Sequence, residues 1–263
     1  MPIHLAEPDT TRLVDSPLTL VVCQVRHERN IAVADAKRAL AVHDALKDAY
    51  PKIDENAVQD ISVLAGPSGV QQLPGEAMRG WRLRSKDEKW TAVLMPDFYA
   101  LETTLYEDWT DYSHRLDALT AAVTEFLGPT IERRLGIRYV SRLTDPEVQD
   151  PTGWIGKIDN ALLGTVAHAG LGSGVLTSQG IVQLEAENDI QVLLRHALFK
   201  DAPSSSGWDY IIDQDCYREG GRHLTVGEVK GGSEAIHRVA LQVFQSALHP
   251  DYFRRLKQGH DAD

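Results

Sequence analysis

The sequence predicts an α+β fold in which two topologically similar strand-helix-strands-helix units form a mainly antiparallel sheet with long helices packed on one face. Three observations support this class. Apolar residues alternate with period two in several short segments, and they recur at spacings of three and four in longer segments. The two kinds of segment follow the same order in residues 1–130 and 131–263, which predicts two α+β halves that together form one compact unit.

The first half begins with a strand and ends with a long helix. Residues 16–28, SPLTLVVCQVRHE, are β-branched and apolar, and a rough apolar stripe after them predicts a helix that Pro51 ends. DISVLAG and GWRLRS are predicted short strands with a loop or irregular hairpin between them. Residues 89–106 form one long strand or two strands broken at Pro96. The closing helix places six apolar or aromatic side chains on one face, namely Trp109, Tyr112, Leu116, Leu119, Val123 and Phe126.

The second half repeats this order. GIRYVSRLTD is a predicted strand, a short helix is expected from about Thr152, and residues 172–199 contain two strands joined near Asn188. WDYIIDQDCYRE is a further strand. A helix follows, with Pro250 just past its end, and Thr225 and Glu228 have the spacing of a capping box at its start.

Composition and charge exclude several classes of protein. The chain has 263 residues and a net charge of −11, which argues against a general polyanion binder. No apolar stretch approaches the ~20 residues that a membrane-spanning helix needs, and the N-terminus lacks the pattern of a secretory signal. Cys23 and Cys216 lie far apart in apolar segments, so we expect buried free thiols in a cytosolic protein.

An acidic cluster separates the strand that ends near Tyr106 from the helix that follows it. Glu107, Asp108 and Asp111 lie in or beside the first helical turn, where carboxylates favour the positive end of the helix dipole and can cap free N–H groups. We therefore interpret the cluster as a helix start. Aromatic residues gather at the same junction, and Trp109 is the one that we include among candidate partner-binding residues.

Three stretches, ALETTLYEDWTDY, LGIRYVSRL and FQSALHPDYFRRL, together resemble a sporadically distributed family of uncharacterised bacterial proteins of about this length. Its members have a similar Y..W..F junction, with Phe where this chain has Tyr112, and a GLRYINR-like strand. The resemblance extends from Pro17 to about Leu256 and implies no catalytic residues. The patchy distribution of the family implies an accessory role in a mobile-element, toxin–antitoxin or phage-defence system.

The order of elements also resembles the duplicated saddle of TATA-binding-protein-like folds. A resemblance in topology implies no function. A saddle that binds DNA needs basic residues and apolar wedges, whereas this chain is acidic.

The first candidate site lies on the strand WDYIIDQDCYRE. Side chains alternate along a strand, so Asp209, Asp213 and Asp215 share one face. Three carboxylates could bind Mg²⁺ or Ca²⁺ through oxygen ligands. They could equally form the solvated face of an antiparallel strand, or charges that protect an edge from aggregation, and we assign no metal site.

The second candidate site lies on the strand GIRYVSRL, where Arg138 and Arg142 point to one face. Two guanidinium groups could clamp a carboxylate or a phosphate. The alternative is cross-strand ion pairing, for instance with the strand that carries Asp213. If those two strands are neighbours, the arginines and aspartates neutralise each other and neither set is a free site.

No catalytic constellation, nucleotide loop or metal motif is present in the sequence, and His196 is expected to be a hydrogen-bonded core residue. The leading hypothesis is therefore a non-enzymatic cytosolic binding or regulatory protein that uses no cofactor. It would present its sheet face, or a cleft between the halves, to a protein partner. The alternative is an enzyme or small-ligand sensor that uses the Arg/Asp cluster with a divalent metal or an anionic metabolite. Nucleic-acid binding on a saddle surface ranks third, and homodimer formation stays open.

Overall fold

The computed structural model describes residues 2–66, 69–200 and 207–259, and it describes residues 57–66 and 69–78 by their backbone alone. The strands within these ranges are β1 (Leu18–His27), β2 (Lys52–Gly66), β3 (Gly69–Arg84), β4 (Trp90–Met95), β5 (Phe98–Thr103), β6 (Ile131–Leu143), β7 (Ser178–Glu185), β8 (Gln191–Phe199) and β9 (Asp209–His223). The α-helices are α1 (Ala36–Leu46), α2 (Trp109–Phe126), α3 (Asn160–Leu163), α4 (Val226–Ser246) and α5 (Pro250–Gln258). None of the helices in this described part is long and apolar enough to span a membrane.

The nine strands form one sheet in the order β2-β3-β4-β5-β1-β6-β9-β8-β7, so the predicted α+β class is confirmed. A strand, helix, strands, helix order occurs both before and after Ile131. The chain divides into two compact units: unit 1 comprises Met1–Val21, Gly136–Glu219 and Gly232–Asp263, and unit 2 comprises Val22–Leu135 and Gly220–Gly231. The assignment of 1–130 and 131–263 as structural halves stays a prediction.

In unit 2, helix α2 packs against the hairpin of β4 and β5. Of the two predicted alternatives for this stretch, the two-strand one is correct, because Pro96 and Asp97 form the turn between the strands. The buried Tyr112 hydroxyl donates to the Leu101 carbonyl at 2.8 Å. At the start of α2, the Asp108 carboxylate accepts from the Asp111 N–H at 2.9 Å, so the acidic junction includes the expected helix cap.

In unit 1, the helix side of β9 lies against α4 and an aromatic cluster. The Gln214 side-chain amide donates to the Ala240 carbonyl at 3.0 Å. Trp154 is fully buried, its indole N–H donates to the Trp208 carbonyl at 3.1 Å, and its ring lies 5.8 Å from that of Tyr210. The alternate residues of β9 on this side are therefore core residues, and the intervening ones point to the opposite face.

The N-terminal residues of unit 1 lie against α4. Gln245 holds Asp9 in both directions: its side-chain amide donates to the Asp9 carbonyl at 2.7 Å, and its side-chain oxygen accepts from the Asp9 N–H at 2.9 Å. Further along, the Ile3 N–H donates to the Glu185 carbonyl at the end of β7 at 2.7 Å. This arm has no regular pattern in the sequence and was not predicted.

Two predicted regions differ from the structure. The expected short strands around residues 60 and 80 are parts of the much longer β2 and β3, whose backbones pair from Lys52 with Arg84 to Gly66 with Gly69. The helix expected near Thr152 is a short 3₁₀ turn, Pro151–Trp154, followed by the four residues of α3. Gly156 and Gly164 have φ values of 79° and 52°, and this left-handed backbone interrupts a continuous helix.

Asp145 is the charged centre of an ion-pair network in unit 1. Its side chain is fully buried, with Lys157 Nζ at 2.9 Å and Arg255 at 2.6 Å. These cations hold the pKa of the Asp145 carboxyl below its usual value against the opposing effect of burial. We expect Asp145→Asn to lower the free energy of unfolding by about 3 kcal/mol in urea denaturation, because removing one partner leaves uncompensated charge. Glu147→Gln is the matched control: it pairs with the same cations but is exposed, so a loss under about 1 kcal/mol is expected.

Because His237 on α4 is buried, we expect the free energy of unfolding of unit 1 to depend on pH below neutrality. Its ring nitrogen Nδ1 lies 2.8 Å from the Tyr139 hydroxyl, and burial lowers its pKa to about 4. The unfolded chain binds the proton near pH 6.5, so the contribution of His237 is complete above that pH and is lost as the pH falls toward 4. We expect the free energy of unfolding to fall by up to about 1.4 kcal/mol per pH unit from this group alone. His237→Gln should flatten that slope, and an unchanged slope would contradict the assignment.

Candidate functional site

The candidate site is the side of the unit 1 sheet that faces away from α4, and we call it the open face. Along β8 every second residue is buried, whereas the alternating residues are half-exposed. The register between β8 and β9 places these residues of β8 opposite residues of β9 on the same face, all of them half-exposed except the buried Asp213. The pairs are Gln191 with Tyr217, Leu193 with Asp215, Arg195 with Asp213, Ala197 with Ile211, and Phe199 with Asp209.

Arg138 and Asp213 form the central contact of the open face. Strands β6 and β9 are neighbours in the sheet. Arg138 Nε and a terminal N–H donate to the two carboxylate oxygens of Asp213, both at 2.7 Å. The Arg138 side chain is 48% exposed and that of Asp213 only 11%, so the guanidinium shields the carboxylate from solvent. On the other side, Arg195 lies 3.8 Å from the same carboxylate.

A second pair, Arg142 with Asp209, lies four residues further along each strand. Arg142 Nε donates to Asp209 at 2.9 Å, and a terminal nitrogen of Arg142 also contacts that carboxylate. The Arg142 guanidinium lies over the Phe199 ring, 5.7 Å from its centroid. The cross-strand ion pairing that was the alternative to a ligand clamp is therefore present for both arginines.

Asp215 continues the acidic row of β9 on the open face and acts electrostatically on Arg138. Together with Asp213, it keeps the pKa of the Arg138 guanidinium above its usual value, the hydrogen bonds to Asp213 being the larger cause. Within the described residues, no group of three histidine, cysteine or acidic side chains is arranged to hold a metal ion. Two of the carboxylates of β9, Asp209 and Asp213, accept hydrogen bonds from arginines of the protein itself.

Apolar side chains occupy the positions between the ion pairs. Leu193, Ala197 and Ile211 are half-buried members of the open face. On β7, Ile181 pairs with Arg195 and is 69% exposed. The open face therefore combines an apolar surface with charged groups that already pair with each other.

Trp109, the remaining candidate residue, belongs to unit 2. Its ring stacks on that of Tyr112 at a centroid distance of 5.8 Å, and the residue is half-buried. It thus contributes to the packing at the start of α2, while the arginines and aspartates belong to unit 1. Trp90 and Tyr99, two other aromatic residues of this region, are buried.

A cavity of about 1000 Å³ opens beside the start of α2 in unit 2. The acidic junction contributes Glu107 and Asp111 to its wall, which sequence reasoning did not anticipate. Arg115 donates to both oxygens of Asp111 at 3.0 Å and lies 4.3 Å above the Trp90 ring. The i, i+4 spacing of Asp111 and Arg115 was a visible signal for this pair, but the wall also includes residues from two other segments, 48–49 and 85–90.

The buried polar groups near the core match their expected structural roles. Cys23 and Cys216 are free and buried, as predicted, and burial raises the pKa of both thiols. His196 is hydrogen-bonded through Nδ1 to the Tyr210 hydroxyl at 2.8 Å, which confirms it as a core residue. Burial lowers its pKa, so the ring is neutral at pH 7.

Comparison with known proteins gives no family. No family model matches the chain, and no curated protein matches it. Among solved structures, a similarity is found to "KH domains", with 10% sequence identity, a TM-score of 0.18, and coverage of 93% of this chain and 69% of that chain. A likeness at this level supports neither a fold assignment nor a function.

A double-mutant cycle on Arg138 and Asp213 measures their coupling. We expect a coupling free energy of about 1 kcal/mol from urea denaturation of Arg138→Met, Asp213→Asn and the double variant, because the contact is bidentate and half-shielded. Lys230 and Asp117 in unit 2, 3.7 Å apart, form the control pair, with about 0.3 kcal/mol expected. A coupling for Arg138 and Asp213 no larger than the control would show that the pair does not organise the face.

Proposed function

We propose that this is a non-enzymatic cytosolic binding or regulatory protein that docks a protein partner on the open face of unit 1. The observation that supports the proposal is the row of ion-paired side chains alternating with half-exposed apolar ones across β6, β9, β8 and β7. A protein interface commonly has an apolar centre with polar and charged groups around it.

The charge balance of the open face favours a protein over a nucleic acid. The face carries three arginines, Arg138, Arg142 and Arg195, and three aspartates, Asp209, Asp213 and Asp215, and Glu185 at the end of β7 pairs with Gln191 on the same face. Because the arginines do not outnumber the carboxylates, the face offers a polyanion no net attraction, and the chain as a whole is acidic. A partner with an apolar patch and polar groups of both signs fits best.

The alternative of an enzyme or sensor that uses the Arg/Asp cluster has weaker support. A small anion would have to compete with Asp213 for Arg138 and with Asp209 for Arg142. A divalent cation would have to displace the same guanidinium groups from the carboxylates. Either exchange leaves a partly shielded charge without its partner, which costs free energy.

Cytosolic location and the biological setting are parts of the same proposal. Two buried free thiols suit a reducing compartment. The resemblance of the YEDWTDY and GIRYVSRL motifs to a sporadically distributed bacterial family suggests that the partner belongs to a mobile-element, toxin–antitoxin or phage-defence system.

Site-specific crosslinking tests the docking surface. A photoreactive residue at Leu193, in the centre of the open face, is expected to crosslink one protein in native cells. The same residue at Glu234, exposed on α4, is the matched control and should not crosslink it. With the purified partner, Ile211→Arg should weaken binding at least tenfold, because it places an unpaired charge within the apolar part of the face. Glu234→Arg should leave the dissociation constant unchanged.

The opposite results would overturn the proposal. Equal crosslinking from Leu193 and Glu234, or binding of the purified partner that is insensitive to Ile211→Arg, would move the docking surface away from the open face.

A further inference from the structure

Strand β7 is the last strand of the sheet on the unit 1 side. It pairs with β8 over its whole length, from Ser178 with Leu198 to Glu185 with Gln191. Its other edge receives one main-chain hydrogen bond from the described residues, the bond from the Ile3 N–H to the Glu185 carbonyl. An edge of this kind presents a row of N–H and C=O groups that can pair with another strand.

Two bonds establish which residues of β7 direct their backbone groups outward. The Ala186 N–H donates to the Ile190 carbonyl at 2.7 Å inside the β7–β8 hairpin, so the even-numbered residues bond inward. The Glu185 carbonyl accepts from Ile3 on the outer side, so the odd-numbered residues bond outward. Because the two directions alternate in an antiparallel ladder, Gln179, Ile181 and Gln183 have outward N–H and C=O groups.

The edge lacks the features that usually prevent strands from pairing. Between Ser178 and Leu184 there is no proline and no charged residue. Ile181 is 69% exposed and Val182 is 36% exposed, although both lie in a regular strand. A regular edge strand with no charged residue over this stretch and with exposed β-branched residues is a favourable template for strand addition.

We propose that β7 pairs antiparallel with β7 of a second copy of this chain, about a two-fold axis at Ile181. In this register Ile181 faces Ile181, and Gln179 faces Gln183 of the other copy. All of these residues have outward backbone groups, so about six inter-copy hydrogen bonds form without disturbing the ladder to β8. The bond between Ile3 and Glu185 ends the paired stretch. This inference does not depend on the proposed docking function.

Charge and symmetry favour a second copy as the occupant. The net charge of −11 opposes self-association in general, but the antiparallel register places Glu185 of one copy opposite Thr177 of the other. The two Glu185 side chains then lie roughly 27 Å apart along the strand. That separation exceeds the screening length of about 8 Å at physiological salt. Since each copy uses the same edge, the contact closes as a dimer.

Sedimentation equilibrium on the full-length chain tests the inference. The wild-type protein should sediment with twice the mass of the chain, 29.1 kDa. Ile181→Lys should raise the dimer dissociation constant at least tenfold, because two lysines would face each other at the axis. Leu176→Lys makes the same change at a site that is 86% exposed and outside the strand, and it should remain dimeric. Circular dichroism and thermal denaturation confirm that each variant folds.

A charge-swap experiment distinguishes a direct effect of Ile181→Lys at the two-fold axis from an effect on the fold of β7. Ile181→Glu alone should also be monomeric, whereas an equimolar mixture of the Ile181→Lys and Ile181→Glu chains should form a heterodimer through opposite charges at the axis. A monomeric wild-type protein at 100 μM, a dimer that Ile181→Lys does not weaken, or a mixture that fails to associate would overturn the inference. These masses are measured without any partner, so failure of the docking proposal would leave them unchanged.

Discussion

The bidentate contact between Arg138 and Asp213 determines the chemical character of the open face. The sheet brings β6 beside β9, and the two-residue period of both strands places a cation beside an anion on the side away from α4. Arg142 and Asp209 repeat the contact, and Arg195 adds a third guanidinium from β8. The charges of this surface are therefore largely matched within the protein.

Matched charges change what such a surface can do. An unpaired arginine on a sheet would attract phosphate or carboxylate, and an unpaired row of aspartates would attract a divalent cation. Pairing removes both attractions while it keeps the side chains ordered and the face nearly neutral. What then distinguishes the open face from ordinary surface is its ordered mixture of apolar and polar groups, which suits contact with another folded protein.

Local pattern in the sequence predicted the strands of unit 1 and the faces of their side chains better than it predicted the contacts between strands. Arg138 and Arg142 are four residues apart, which placed both on one face, but the partner of Arg138 lies 75 residues away, and only the strand order decides that pairing.

The length of β2 and β3 was missed because Pro74, Gly75 and several polar residues obscure the alternation of apolar and polar residues. The cavity beside α2 was missed because its wall gathers residues from the separate segments 48–49, 85–90 and 105–115. The N-terminal arm was missed because its bonds are made by isolated polar side chains of α4 and α5, namely Gln242, Gln245 and Lys257.

Nuclear magnetic resonance of the arginine side chains tests the central claim most directly. The ¹⁵N-labelled chain is titrated first with Mg²⁺ and then with inorganic phosphate, and the Nε–H resonances of Arg138 and Arg142 are followed. If both guanidinium groups are committed to Asp213 and Asp209, these resonances keep their positions up to millimolar ligand. A saturable shift of either resonance would contradict the account, because it would show that the cluster exchanges its internal partners for a ligand.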